Sequence, residues 1–222
     1  MRLVIFDVDG TLVDSQGDIV SAMTAAFGHV GLEVPARQAI LGIVGLSLPH
    51  AMERLAPGAT GAQWEAMVAA YKTAYQQLRL TKGAASSPLY PGIREVVEAL
   101  AAEEETLLGI ATGKSRRGLL ALLENHGWQR HFVNIQVADD HPSKPHPSML
   151  LTALAETGLE AGQAVMIGDT TFDMEMAGAA GIPFVGVAWG YHAPVHLTGA
   201  REIVTEAGQL PGAIGRAMGE AA

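Results

Sequence analysis

Asp7 and Asp9 stand two positions apart where an apolar run, residues 3–6, comes to an end. On an extended strand, residues i and i+2 project from the same face. Both carboxylates therefore emerge together at the carboxyl end of a buried strand, the edge where open α/β sheets hold their ligands. Two like charges this close are costly unless a cation or a shared proton relieves them. Gly10 follows and lets the backbone turn sharply or approach a ligand closely, and Thr11 adds a hydroxyl.

Three further groups repeat the theme of chemistry at a strand end. Ile110-Ala111-Thr112-Gly113 ends an apolar run in a hydroxyl and a glycine. Lys144-Pro145 places a cation in a loop before a helix opened by Pro147. Ile167-Gly168-Asp169-Thr170-Thr171-Phe172-Asp173 ends another run in acids, with Asp173 about one helical turn beyond Asp169. Each of these is weak alone; a Thr-Gly is usually a turn, a lysine is usually solvated, and a helix N-terminus favours an acid through its dipole.

The elements that must position these residues have two textures. Residues 16–80 are helical in pattern. Ile19, Met23, Phe27 and Val30 recur at helical spacing, with Asp18 as the expected N-cap and Gly31 as the stop. Ser47 and Pro49 suit the start of another helix. Trp64, Met67, Tyr71, Tyr75 and Leu78 form a stripe read as bundle packing, and residues 81–88 read as a loop. From residue 92 the pattern becomes α/β. A helix carries Ile93, Val96, Val97 and Leu100; short apolar strands are expected near 106–111, 133–137, 164–167 and 183–187, with helices near 115–126, 147–157 and 171–180. Such alternation means a parallel sheet covered by helices.

Four motifs in this order make the chain similar to the haloacid dehalogenase superfamily, in its phosphatase branch. The stretch from Asp9 to Ser15 resembles the opening of its phosphoglycolate phosphatase-like group. The resemblance covers the whole chain. It implies a Rossmann-like catalytic core, residues 1–15 and 85–222, with a helical cap, residues 16–84, inserted after the first strand. It also implies a Mg2+-dependent phosphatase acting on a small phosphorylated metabolite. Asp7 would be the nucleophile that forms an aspartyl-phosphate. Asp9 would protonate the leaving oxygen and then activate water. Thr112, the Gly113 amide and Lys144 would hold the phosphoryl group, with Gly10 and Thr11 beside it. Asp7, Asp9 through its backbone carbonyl, Asp169 and Asp173 would hold the metal, since Mg2+ prefers carboxylate oxygens, phosphate and water.

Asp9 favours a phosphatase over a dehalogenase. Sugar phosphomutases of the superfamily are an alternative, but their cap carries an arginine after a Gly-x-Ser motif. Here Gly45-Leu46-Ser47-Leu48-Pro49 has leucine and proline instead. A non-catalytic binding module on the same fold is a third reading; it would be expected to have lost one of Asp7, Asp9, Lys144 or Asp169, and all are present.

Composition bounds the rest. With 222 residues, 49% of them hydrophobic and 17% charged, the chain can build a sizeable core. A net charge of −9 argues against nucleic acid or an anionic membrane as partner. There is no cysteine, which excludes disulfides and thiolate metal sites. No signal segment precedes the first strand and no apolar stretch is long enough to span a membrane, so a cytoplasmic protein is expected. The expected partner is a small phosphorylated substrate; the sequence leaves the oligomeric state open. His141 and His146 read as loop residues, His192 and His196 as surface, Lys114, Arg116 and Arg117 as solvated helix charges, and residues 103–105 as an exposed acidic run.

Overall fold

The structure is a computed structural model and describes residues 1–219. Six strands, β1 (Arg2–Phe6), β2 (Thr106–Thr112), β3 (Phe132–Val137), β4 (Ala164–Gly168), β5 (Phe184–Val187) and β6 (Glu202–Val204), form one sheet. Their order is β3-β2-β1-β4-β5-β6 and every pairing is parallel. β1 lies between β2 and β4, so the chain order reverses beside it. That reversal opens a crevice at the carboxyl ends of the strands.

Both faces of the sheet are covered, which explains why its strands are continuous apolar runs rather than alternating ones. Val4 and Phe6 face one side, against α5 (Ile93–Ala101), α6 (Arg116–His126) and α9 (Leu210–Ala217). Leu3 and Ile5 face the other, against α7 (Ser148–Thr157) and α8 (Thr171–Ala180). All four of these β1 side chains are fully buried.

Between β1 and β2 come α1 (Gln16–His29), α2 (Arg37–Leu41), α3 (Leu48–Leu55) and α4 (Gly61–Lys82). They have a core of their own around Met23, Phe27, Ile40, Met52 and Met67. The two chain segments that enter and leave this block run side by side. The Asp14 N–H donates to Pro88 O at 2.8 Å, and the Tyr90 N–H donates to Leu12 O at 3.1 Å.

Two local expectations are corrected, and three short elements are new. α1 begins at Gln16 with Ser15 as its N-cap residue. Asp18 is instead buried in the first turn, where Lys82 Nζ and Ser86 Oγ donate to its two oxygens. That same contact carries α4 on through Lys82 and into a 3-10 turn, Gly83–Ser86, where a loop was expected. The short α2, β6 and α9 were not expected: β6 is three residues long, too short to show a period. Residues 220–222 of the expected core segment lie outside the described residues.

Asp18→Ala strands the buried Ser86 hydroxyl and removes the acid that Lys82 caps. Lys82 is half exposed, so most of the loss comes from the hydroxyl. A loss of about 1–3 kcal/mol in urea unfolding is expected, and a variant within error of the parent would show that this contact does not hold the helical block.

Candidate active site

The strand ends bring the motif residues together. Asp7 follows β1, Thr112 ends β2 and Asp169 follows β4, all on the carboxyl edge of three adjacent strands. Asp173 lies in the first turn of α8, and Lys144 reaches in from the loop before α7. Asp7, Asp169, Asp173 and Lys144 are each at most 2% exposed. Lys144 Nζ lies 2.9 Å from Asp7 Oδ1 and 2.6 Å from Asp173 Oδ1. The second contact is a directed hydrogen bond; the first is an ion pair without that alignment, and neither Asp7 oxygen has a hydrogen-bond partner among the described residues.

The other two acids are held more fully. Thr11 Oγ1 donates to Asp169 Oδ1 at 2.9 Å, and the Tyr191 N–H donates to Oδ2 at 2.7 Å. Thr170 donates to Asp173 Oδ2 through its backbone N–H and its hydroxyl, at 3.1 and 2.7 Å. The Asp173 N–H returns to Thr170 Oγ1, which closes a capping box at the head of α8.

Carboxylate oxygens of Asp7, Asp169 and Asp173 lie within 4.8 Å of one another. Burial pushes the Asp7 carboxyl up to about 6, against the pull of the Lys144 ammonium, and the charge of Asp173 adds to the rise. Burial also raises Asp169 well above the carboxylate range, helped by Asp173 and Asp7. Burial alone would favour a neutral Lys144, but the Asp173 and Asp7 carboxylates outweigh it and hold the amine charged. Three buried acids facing one buried ammonium form a cluster that could hold a hard cation.

Asp9 is apart from this cluster. Ser15 Oγ donates to its Oδ1 at 2.5 Å, and Lys114 Nζ donates to both oxygens at 2.7 Å. Lys114 was expected to be solvated. Its side chain is instead 10% exposed, and its ammonium lies 5.1 Å from the centroid of the Tyr75 ring. Sequence reasoning missed this pair because its members are 105 positions apart. The available signal was a lysine two residues beyond the Thr112 strand end.

Gly10 and Thr11, expected beside the phosphoryl group, lie against Asp169. The Gly10 N–H donates to Val13 O, and a Cβ at Gly10 would lie 2.3 Å from Asp169 Oδ2. Thr11 thus hydrogen-bonds Asp169, and Gly10 leaves room for it. His192 was expected at the surface and is half-buried instead. The Thr171 N–H donates to its Nδ1 at 3.1 Å, and its Nε2 lies 3.2 Å from Gly42 O in the helical block. Burial lowers its pKa, in keeping with a neutral ring that accepts at one nitrogen and donates at the other. His141 is fixed between Ser148 and Gln136.

A cavity of about 520 Å³ opens above the strand ends. Asp7, Asp9, Thr112 and Gly113 line its floor, and the 43–49 loop and α4 its roof. The roof comes close: a Cβ at Gly113 would lie 2.6 Å from the carbonyl oxygens of Gly45 and Leu46. Tyr71 and Tyr75, read from spacing as packing residues, pack in the block and line this cavity too.

Residues 4–187 match the family model of the haloacid dehalogenase-like hydrolases. The chain belongs to that family. A probable phosphatase of Dickeya dadantii, IndB, is 37% identical over 89% of this chain and 86% of its own length. A phosphoglycolate phosphatase of Yersinia pestis is 30% identical over 86% of this chain and 83% of its own. A haloacid dehalogenase-like family hydrolase from Streptococcus pneumoniae has the same fold, with a TM-score of 0.82, 27% identity, and coverage of 96% of this chain and 98% of that one. The haloacid dehalogenase-like hydrolase described here is accordingly an enzyme of the phosphatase type, on the expected α/β fold with a parallel sheet. No helix among the described residues is long and apolar enough to cross a membrane.

The raised Asp7 pKa has a consequence for stability. A group whose folded pKa lies above its unfolded value stabilises fully below the unfolded value, and that stability is lost as pH rises to the folded one. In metal-free protein, the stability of Asp7→Asn relative to the parent should therefore grow by about 2 kcal/mol between pH 4 and pH 7. Urea unfolding in chelator measures this; a difference that is flat across the range would show that burial does not raise Asp7.

Proposed function

We propose that this hydrolase is a Mg2+-dependent phosphatase that cleaves a small phosphomonoester through an aspartyl-phosphate on Asp7. The supporting observation is Asp7 itself. It is buried at the centre of the sheet edge, its Oδ2 has no hydrogen-bond partner among the described residues while Oδ1 is ion-paired with Lys144, and it faces a cavity large enough for a substrate. A nucleophile needs free lone pairs, and a carboxylate used only to hold the structure would have them occupied.

The residues divide the work as follows. Asp7 attacks phosphorus, so that a bond forms from its oxygen to phosphorus while the ester oxygen leaves. Asp9 protonates that oxygen and later takes a proton from the water that cleaves the acyl phosphate. Its carboxylate faces Lys114 and Ser15, so proton transfer requires its release from Lys114. The Thr112 hydroxyl and the Gly113 amide line the same floor and would hold phosphoryl oxygens. Lys144 offsets charge on Asp7.

Asp7 and Asp169 would hold the metal, with the backbone carbonyl of Asp9. Asp173 already takes Lys144 and Thr170 on its two oxygens and would act beside them. Bound magnesium would offset phosphate charge that otherwise repels an attacking carboxylate.

Hydrolysis of p-nitrophenyl phosphate should need Mg2+ and stop in excess chelator; undiminished rates in chelator would sink the metal proposal. Asp7→Asn should lose turnover to background while its circular dichroism matches the parent. Appreciable turnover by that purified variant would remove Asp7 as the nucleophile. Thr112→Ala should cut kcat roughly a hundredfold, the usual loss for one anion-stabilising donor, and an unchanged kcat would show that Thr112 does not touch the phosphoryl group.

A further inference from the structure

The chain has nine more acids than bases, and half of its 14 lysines and arginines are paired with a carboxylate. Lys82, Lys114 and Lys144 each meet a carboxylate, as do Arg2, Arg94, Arg116 and Arg216. Arg37 donates to Gln16, and Arg54 lies over the Phe172 ring. Lys72, Arg79, Arg117, Arg130 and Arg201 have no acid, side-chain hydrogen bond or ring partner among the described residues. The first three all line the cavity above Asp7.

They come from two layers. Lys72 and Arg79 belong to α4, seven positions and about 10 Å apart along its axis, on one face with Tyr75 and Gln76. Arg117 belongs to α6, in the layer that covers the sheet. Arg79 is partly exposed, and Lys72 and Arg117 are exposed. All three border one void, from two sides.

The acids that line the same cavity are Asp7, Asp9 and Asp139. The first two are matched by Lys144 and Lys114; Asp139 accepts only the neutral Arg116 backbone N–H and keeps its charge, one acid against three unmatched cations. Free positive charge is therefore left at the α4 and α6 wall, away from the reacting carboxylates. The roof between is apolar, with Ile43, Val44, Leu46 and Leu48. A volume of about 520 Å³ lies within the usual span of pockets that enclose a whole small ligand.

We propose that the substrate carries, besides its phosphate ester, a second anionic group that is received by Lys72 and Arg79 of α4 with Arg117 of α6. The second group is a carboxylate or another phosphate, since both suit a cluster of guanidinium and ammonium donors. This deepens the phosphatase reading by naming the substrate class.

Calorimetric binding to the Asp7→Asn protein with Mg2+ tests it without requiring turnover. The probes are pairs that differ only in the second anion: phenyl phosphate against 4-carboxyphenyl phosphate, ethyl phosphate against phosphoglycolate, and propyl phosphate against propane-1,3-bisphosphate. In at least one pair, the member with the second anion should bind about tenfold more tightly, with an advantage that shrinks as salt is added. Adding Lys72→Gln, Arg79→Gln and Arg117→Gln should remove that advantage, and Arg79→Lys with Arg117→Lys should restore part of it. The carboxylate and bisphosphate pairs distinguish the two forms of the second anion. Equal binding within twofold in every pair, or an advantage that survives the triple substitution, overturns the proposal. Turnover by the parent protein is scored separately: a binding preference without hydrolysis would support the anion subsite and count against the phosphatase reading.

Discussion

Three buried carboxylates crowd around one buried ammonium, and much of the molecule is arranged to tolerate them. Asp7, Asp169 and Asp173 lie within 4.8 Å of one another, and Lys144 supplies one positive charge. The remaining repulsion is met by dipoles and by space. Thr11, Thr170 and the Tyr191 amide point donors at the acids. Gly10, Gly168 and Gly190 leave room for them, since a Cβ would come within 2.3, 2.6 and 2.1 Å of the Asp169 or Asp173 side chain. The parallel sheet matters for the same reason. Only its order brings the ends of β1, β2 and β4, widely separated in the chain, to one edge.

What could be read from the sequence follows from how local each signal is. Strands buried on both faces must be apolar throughout, so β1, β2 and β4 stood out as runs ending in Asp7, Thr112 and Asp169. Helices with one buried stripe were visible through their period. The unexpected features depend on distant partners. Asp18 looks like an N-cap until Lys82 and Ser86 arrive from the far end of the block. Lys114 looks solvated until Asp9 meets it, and His192 looks superficial until Gly42 closes over it. The roles of Gly10 and Thr11 depend on Asp169, 158 positions beyond Thr11. Sequence spacing could not show which acid they serve.

The cavity belongs to two parts of the chain with separate cores. The floor is set by strand ends and holds Asp7, Asp9, Thr112 and Gly113. The roof is set by α4 and the 43–49 loop, tied down by a few polar contacts. The Ser47 N–H donates to Ser143 Oγ at 2.8 Å, and His192 bridges Thr171 to Gly42. Lys114 joins both parts, with its ammonium on Asp9 of the floor and beside Tyr75 of the roof. Floor and roof thus meet at one side chain while resting on different scaffolds.

The paired crossings between these parts have an architectural consequence. Asp14 and Pro88 are hydrogen-bonded neighbours, as are Leu12 and Tyr90, so the helical block leaves the core and returns to it at almost one point. Topologically the block is a cassette. A short turn across that gap would close the chain without moving a strand, and a different block could be spliced there and still hang over the same carboxylates. Such a layout makes the two parts separable at the chain level: the strand ends do not depend on the path the chain takes between residues 14 and 88.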